Sequence, residues 1–520
     1  TESTVLRFGT LDLVRSDWRR YQLSLDDDSN DATQLEGTDF SVGIVGIQEN
    51  DGGYVSPPGV QREQLNNNNS IVRQNEQSLV VDVCELESED ARGVFKNINV
   101  DMRQYKKLKM FIHAEDGETD SFEQGSLVGF IRMGNDFTQN YYQIEIPLKV
   151  TPHGTFSSEE IWPLNNEIEL PLSILTALKI KKISNELNPP DVNGIYFLNE
   201  SGLGSSSNKL DIGIKGNPNF GLVRTLMVGV KNKNSTADIR GEVWFNELRM
   251  SEMDNKGGYA AVANLDTNVA DFADVSATSR ISTIGFGGIE EGPNERSRED
   301  VFQYDVVTNI NLGQLLPKKT GIKIPFNYGV GEQTITPKYD PFYQDIELKQ
   351  LLSVTQDPIK QAEFENRAID YTKRTSLNFI GVRKDRAEEQ KQHFYDVENL
   401  TMSYSFNEME HHDYEVENLI DQQNRTTLDY AYSFKPLEIK PFDKSPKLKK
   451  NGYYKMLTDF NFNFLPSNIS LSSNIIRQFN RQKFRLIEVE GIGIEPLYRR
   501  NYFFNYQYGF NYNLTKLNKR

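Results

Sequence analysis

The clearest pattern in the chain is a period of two near its end. From Phe504 to Leu514, the residues Phe504, Tyr506, Tyr508, Phe510, Tyr512 and Leu514 fall on one face of an extended strand. Asn505, Gln507, Gly509, Asn511 and Asn513 fall on the other. One face is mostly aromatic and the other is uncharged amide, where a soluble sandwich strand would place charge. Aromatic side chains against lipid and amides against water are the two faces of a transmembrane β-strand. At a rise of roughly 3.3 Å per residue, about 11 tilted residues cross the hydrocarbon core. The expected lipid-facing set is Phe504, Tyr506, Tyr508, Phe510 and Tyr512, and the expected lumen-facing set is Asn505, Gln507, Asn511 and Asn513.

The same alternation recurs upstream. Phe302, Tyr304, Val306, Thr308, Ile310 and Leu312 oppose Gln303, Asp305, Val307, Asn309 and Asn311, and Ile322, Ile324, Phe326, Tyr328 and Val330 follow the turn at Pro317 to Gly321. Further candidates are Val275 to Phe286, Thr375 to Gly381, Thr401 to Phe406, Leu428 to Phe434, Met456 to Phe464 and Ile469 to Ile475, about nine in all. Glu332 to Arg374 is a long connection with a helical candidate at Pro358 to Tyr371. Residues 252–520 thus read as antiparallel membrane strands with long polar loops. An unpaired strand edge in lipid leaves backbone groups unsatisfied, so such strands form either a closed small barrel or an arc of a larger one. The arc is the expectation.

Residues 78–251 follow another rhythm, short strands between turn signals, which is the spacing of a β-sandwich. The candidates are Leu79 to Leu86, Lys109 to Ala114, Ser126 to Met133, Tyr141 to Ile146, Gly194 to Leu198, Leu210 to Lys215, Thr225 to Lys231 and Gly241 to Met250. A helix is expected over Leu172 to Lys182, with its stripe at Leu172, Leu175, Leu178 and the stem of Lys182. The order is that of a jelly-roll-like domain of the carbohydrate-binding type, with Trp162 and Trp244 expected in the core rather than as sugar platforms. Residues 1–77 read as a strand, helix and loop region leading into it. Pro57-Pro58-Gly59 and Asn66 to Asn69 mark a loop there that packs no core.

Composition narrows the function. A mean hydropathy of -0.59 argues against helical spans, and no apolar run reaches the roughly 18 residues one needs, while barrel strands, which hide half their residues from lipid, remain open. The net charge of -16 disfavours nucleic acid as a partner. The charge is segregated, with 15 Lys and Arg against 5 Asp and Glu from Lys440 onward. Cys84, the single cysteine, reads as a small buried residue. Asp26-Asp27-Asp28-Ser29-Asn30-Asp31 opens like a calcium loop, yet position six is Asp31 and position twelve Gly37, so it reads as a solvated acidic loop. The glycines at 285, 287 and 288 lack a following Gly-Lys-Ser/Thr and read as a strand end with a turn. The five histidines show no zinc spacing, and His411-His412-Asp413 reads as a solvated turn. No Gly-x-Ser-x-Gly is present. No enzyme, catalytic residue, metal site or cofactor is expected.

Several stretches, in order, resemble the SprA/Sov family, the outer-membrane translocon of the type 9 secretion system in gliding and secreting Bacteroidetes. They are Arg7-Phe8-Gly9-Thr10-Leu11-Asp12-Leu13 with Asp17-Trp18-Arg19-Arg20-Tyr21, Pro57-Pro58-Gly59, Asn75-Glu76-Gln77-Ser78-Leu79, Met110-Phe111-Ile112-His113-Ala114-Glu115, Thr283-Ile284-Gly285-Phe286-Gly287, Leu315-Leu316-Pro317 and Pro337-Lys338-Tyr339-Asp340-Pro341. They span about the first two thirds of the chain; the final third is similar in strand character only. The resemblance implies an internal portion of a longer chain. It also implies an all-β fold, an arc of a very large transmembrane β-barrel with an inserted sandwich, in the Gram-negative outer membrane with an extracellular loop or domain. Implied partners are secreted cargo proteins, barrel-plugging and accessory outer-membrane proteins, and the lipid bilayer. The strands alone equally fit a nutrient transporter or porin, and the sandwich alone a carbohydrate-binding adhesin.

Overall fold

The computed structural model describes residues 18–514 apart from 23, 26–37, 49–52, 61, 63, 68–69, 74, 117–124, 152–156, 235–236, 388–389, 443, 445–452, 454–456, 458 and 487–493. The chain is all-β and divides into two units. The first comprises Thr1–Lys256, Glu290–Glu295 and Tyr339–Gln356, and the second Gly257–Ile289, Arg296–Lys338 and Asp357–Arg520. The candidate calcium loop, the motif at Arg7 to Leu13 and His153 lie outside the described residues.

In the first unit the strands are β1 (Arg19–Arg20), β2 (Asp39–Gly46), β3 (Gln64–Asn67), β4 (Ser70–Arg73), β5 (Gln77–Leu86), β6 (Ala91–Val100), β7 (Tyr105–Asp116), β8 (Leu127–Gly134), β9 (Tyr141–Pro147), β10 (Ile168–Pro171), β11 (Tyr196–Asn199), β12 (Asp211–Lys215), β13 (Val223–Asn232) and β14 (Ile239–Met253). Two sheets, β1-β6-β13-β8-β9-β12-β11 and β10-β7-β14-β5-β2, face each other. Their inward residues alternate along each strand, as Val81 and Val83, Met110 and Ile112, Ile144 and Ile146, and Val228 and Val230 do, and they make one core. Two helices, α1 (Ser158–Ile161) and α2 (Ser173–Ile183), fall between strands. On α2, Leu172, Leu175 and Leu178 are buried as the stripe predicts, and Ile174, Lys179 and Ile180 are buried with them.

The stretch before residue 78 is more than a lead. β1 closes one edge of the first sheet and β2 one edge of the second, and Tyr21 and Leu25 cover the outer-face cluster of Ala91, Phe130 and Met227. Tyr54 and Val55 join Val80, Trp162 and Trp244 on the outer face of the second sheet. Burying Tyr54 requires partners for its hydroxyl, which donates to Glu76 Oε1 at 2.6 Å and accepts from Asn246 Nδ2 at 2.8 Å. Burial, reinforced by Glu76, raises the phenol's pKa. Trp162 and Trp244 are 3 % and 7 % exposed, which makes both core residues. His113 is a core histidine, its Nδ1 2.7 Å from the Ile161 carbonyl. Two expectations need correction. Asn66 and Asn67 lie in a strand, because β3 and β4 pair as a ribbon, and Cys84 is half-buried, because it lies on the face of β5 opposite the core residues Val81 and Val83.

Residues Tyr339–Gln356, from a long connection of the strand region, are part of this first unit. Ile346, Leu348 and Leu351 of this segment, the last two on α3 (Leu348–Val354), are buried, and so is Asp345 at 1 % exposure. Asp345 Oδ1 lies 2.5 Å from Lys179 Nζ on α2, and Tyr142 of β9 donates to Oδ2 at 2.8 Å. Lys179 also donates to the Pro218 carbonyl at 2.8 Å. Burial lowers the Lys179 pKa against the opposing pull of Asp345, and burial raises that of Tyr142.

The second unit carries β15 (Ala260–Val269), β16 (Ala273–Ser282), β17 (Glu299–Asn311), β18 (Ile322–Lys323), β19 (Pro325–Pro337), β20 (Asp370–Lys384), β21 (Leu400–His412), β22 (Val416–Ser433), β23 (Glu438–Ile439), β24 (Phe462–Asn463), β25 (Asn468–Phe484) and β26 (Leu497–Asn511), with the helix α4 (Pro358–Ala368) before β20. One ten-stranded antiparallel sheet runs β15-β16-β17-β19-β20-β21-β22-β25-β26, with β18 paired to β20 beside it. Its two ends do not pair with each other among the described residues, so the sheet is open and no small barrel closes.

The stretch expected over Met456 to Phe464 does not join this sheet: among its described residues only Phe462 and Asn463 are in a strand, and they pair with Glu438 and Ile439 in a separate ribbon. The backbone is diverted: Asn463 N–H donates to the Leu514 carbonyl at 3.0 Å and Phe464 N–H to that of Leu437 at 3.1 Å. The place in the count is taken by β15. The strand expected over Val275 to Phe286 begins at Ala273 and stops at Ser282, before a turn whose Gly285 has a φ of 85°.

Candidate functional site

Hydrogen-bonded register decides which residues share a face of the open sheet. Val269, Ala273, Ile310, Phe326, Phe379, Tyr404, Thr426, Ile475 and Phe504 are successive cross-strand partners from β15 to β26. Eight of these nine positions are apolar or aromatic, and the rings of Phe326 and Phe379 meet at a tilt of 40° with centroids 4.8 Å apart. One residue along, on the opposite face, the same row supplies Asn268, Asp274, Asn309, Asn327, Asn378, Ser405 and Arg425 from β15 to β22, and it ends in Ile476 of β25 and Phe503 of β26. Here amides bond across strands, Asn378 Nδ2 to Asn327 Oδ1 at 2.9 Å and Asn327 Nδ2 to Asn309 Oδ1 at 2.8 Å. Ser276 donates to Asp266 and Ser472 to Asp429, each at 2.6 Å, on that face. Period-two geometry turns a sequence alternation into a sheet with one apolar and one hydroxyl and amide surface.

The apolar belt does not follow the register. On β17 it spans Phe302, Tyr304, Val306 and Ile310, whereas on β22 it spans Leu428, Tyr430 and Tyr432. The row starting at Tyr304 passes through Glu332, Lys373, Glu410, Ile420 and Arg481 to Tyr498, aromatic at its ends and ionic between. The row Leu400, Tyr430, Leu471 and Tyr508 is apolar throughout. A belt that crosses the rows at a slant is what strands inclined to the plane of an apolar layer produce.

On β26, Phe504, Tyr506, Tyr508 and Phe510 share one face opposite Ile475, Ser473, Leu471 and Ile469, and are 50 to 73 % exposed. Asn505, Gln507 and Asn511 share the other, opposite Asn474, Ser472 and Asn468. Gly509 sits among them because a Cβ there would lie 2.2 Å from Ser470 Oγ. Tyr512 and Asn513, expected in the strand, lie beyond its end at Asn511. They turn to the Phe462–Asn463 ribbon, where the Tyr512 hydroxyl donates to the Asn463 carbonyl and Asn463 Nδ2 donates to that of Asn513. The strand instead extends backward to Leu497, through a stretch whose arginines break the aromatic pattern.

His411 and His412 end β21 rather than standing in a loop, and Asp413 forms the turn. His411 Nε2 is 3.2 Å from Asp413 Oδ2, and the Asp413 carboxylate accepts the N–H groups of Glu415 and Val416. Those bonds hold the Asp413 pKa down against a partial burial that raises it. No group of metal-ligating side chains occurs among the described residues. The sequence alternation did not bring together Asp305, Gly331, Arg374, Met409 and Asp421, one row of the polar face around a recess of about 400 Å³. A Cβ at Gly331 would come within 2.2 Å of Asp305 Oδ1, a close approach the sequence signals only as a glycine inside a strand.

The family described as motility related/secretion protein, SprA_N, matches residues 1–352. The chain belongs to this family. The SprA_N match takes in the sandwich and the sheet from β15 to β19, and ends within α3. No curated protein matches the chain. The SprA_N assignment gives the chain a motility and secretion family; for β20 to β26 the argument is their register with the matched strands.

Proposed function

We propose that the open sheet is part of the wall of a very large transmembrane β-barrel in the Gram-negative outer membrane. The protein acts there as a translocon that exports folded cargo proteins in type 9 secretion and supports gliding motility. The observation that carries this is the paired asymmetry of the sheet, aromatic and aliphatic on one face and amide and hydroxyl on the other, with the apolar belt slanted across the register. Such a face suits lipid, and the opposite surface, Asn, Gln, Ser and Thr interspersed with charges of both signs such as Asp305 and Arg374, suits a wet lumen. Membership of a motility and secretion family favours protein export over nutrient uptake. The edges of β15 and β26 pair with further strands, because unpaired backbone in lipid costs several kcal/mol per group.

The work is steric and electrostatic, with no catalysis. The jelly-roll-like sandwich stays in water, since its strands carry ion pairs such as Lys107 with Glu169 at 3.0 Å and Lys109 with Glu169 at 3.1 Å. Cargo, plugging and accessory outer-membrane proteins and lipid are the proposed partners. The test is deletion of the gene with analysis of the culture medium. A translocon mutant loses many secreted proteins together, a transporter mutant one nutrient, and an adhesin mutant attachment alone. Full secretion in the mutant overturns the proposal.

A further inference from the structure

Where the aromatic belt of β25 and β26 ends, its face changes chemistry abruptly. Along β26 the belt residues Phe510, Tyr508, Tyr506 and Phe504 are followed on the same face by Tyr502, Arg500 and Tyr498, and along β25 Ile475 is followed by Arg477, Phe479 and Arg481. Register pairs these as Arg477 with Tyr502, Phe479 with Arg500, and Arg481 with Tyr498, so cations and rings alternate in both directions. Arg477 lies 5.8 Å from the Tyr502 ring, and Arg500 lies 5.5 Å from Phe479 and 6.0 Å from Tyr498. Arg477, Phe479, Arg500 and Tyr502 line a recess of about 490 Å³ with Phe406 and Asn424.

None of the three arginines has an ion-pair partner among the described residues, and Arg481 Nε is buried without a hydrogen bond. On the neighbouring strands of this face, Glu408 is held by Gln422 Nε2. A guanidinium without an ion-pair partner keeps N–H donors free, in a fork that matches the oxygens of a phosphate. Three unneutralised cations one step outside an aromatic belt stand where a bilayer places its headgroups.

We infer that this patch binds the phosphate of an anionic membrane lipid. The inference rests on the proposal that the aromatic face is in the bilayer. The occupant is a lipid rather than an acidic protein because the cations continue the belt on the same face of the same two strands.

The test uses the purified protein in nanodiscs of phosphatidylcholine containing a minor fraction of either phosphatidylglycerol or lipid A, with retained lipid read by native mass spectrometry. The native protein retains the anionic lipid in preference to phosphatidylcholine, and the arm that retains more identifies the lipid. Replacing the three arginines together, R477Q with R481Q and R500Q, lowers that retention by roughly tenfold or more. The three lysine replacements keep the charge and restore part of it. R499Q, on the opposite face, retains as the native protein does. Undiminished retention of both lipids by the glutamine variant overturns the inference, as does arginine-dependent capture of an acidic peptide without lipid preference. Failure of the native protein to enter nanodiscs overturns the membrane proposal itself, whereas entry without an arginine-dependent preference overturns the lipid site alone.

Discussion

At the scale of single residues, two neighbours on β26 test the assignment of faces. Tyr508 is 73 % exposed on the aromatic face, and Gln507 lies opposite Ser472 on the amide face. If Tyr508 is near mid-bilayer, Tyr508→Arg costs about 2–4 kcal/mol of folding free energy, while Gln507→Arg in a wet lumen costs much less. Equilibrium refolding into vesicles measures both, and equal tolerance of the two changes refutes the orientation. In the sandwich the informative residue is Lys179. Lys179→Met leaves the buried Asp345 carboxylate without its cation, and the expected loss is about 3–5 kcal/mol. Adding Asp345→Leu to it recovers most of that loss, since an apolar pair removes the unpaired charge. Denaturant melts of the single and double variants decide between a structural ion pair and an incidental one. The sign of its pH dependence follows from the lowered Lys179 pKa. The protonated lysine is disfavoured in the fold, so this group's penalty is present at neutral pH and lessens as pH rises towards its unfolded value.

At the scale of elements, the turn from β8 to β9 is tied by one carboxylate. Asp136 Oδ1 accepts the N–H groups of Thr138 at 2.9 Å, Gln139 at 2.5 Å and Asn140 at 3.0 Å. Partial burial raises its pKa, but these bonds outweigh it and the net shift is downward. Asp136→Ala strands three donors and costs about 1–3 kcal/mol at pH 7. Because the folded pKa is depressed, the advantage of the native residue is full above the unfolded value of roughly 4 and disappears as pH falls through the lower folded value. Melts of the two proteins from pH 7 to pH 2 therefore converge; parallel curves count against the role. Elements such as β17, β20 and β26 were legible because their two faces differ in chemistry. Others were not. The middle of β22, Asp421, Gln422, Gln423, Asn424 and Arg425, is polar on both faces, and only its pairing with β21 and β25 makes it a strand. β6 carries Arg92, Lys96 and Asn97 and holds its place between β1 and β13 in the same way. Phe460, Phe462 and Phe464 misled for the converse reason, since a period of two says nothing about which neighbour supplies the hydrogen bonds. The ionic and cationic parts of the slanted belt were invisible, because they emerge only when separate strands are set in register.

At the scale of the whole molecule, the sheet's two free edges make the sharpest demand. Among the described residues each of β15 and β26 pairs with one neighbour in the sheet, so alternate backbone N–H and C=O groups of each point away from it. In water those groups would be solvated and the edges tolerable. In a hydrocarbon layer they have no partner but another strand, and β26 brings its most aromatic stretch, Phe504 to Phe510, to that edge. Hydrogen exchange read residue by residue on the intact protein in nanodiscs distinguishes the cases. If further strands close the wall, the amides of β15 and β26 that are not bonded to β16 and β25 exchange as slowly as those of the central strands β19 to β21. If the sheet is instead an open structure bathed by water, those same amides exchange orders of magnitude faster than their bonded neighbours, and the alternation in rate follows the strand period of two. Fast alternating exchange at both edges would remove the large barrel as an explanation, because a bilayer holds no unpaired edge; slow exchange at both, with the polar face still open to solvent, is the signature a protein-conducting wall requires.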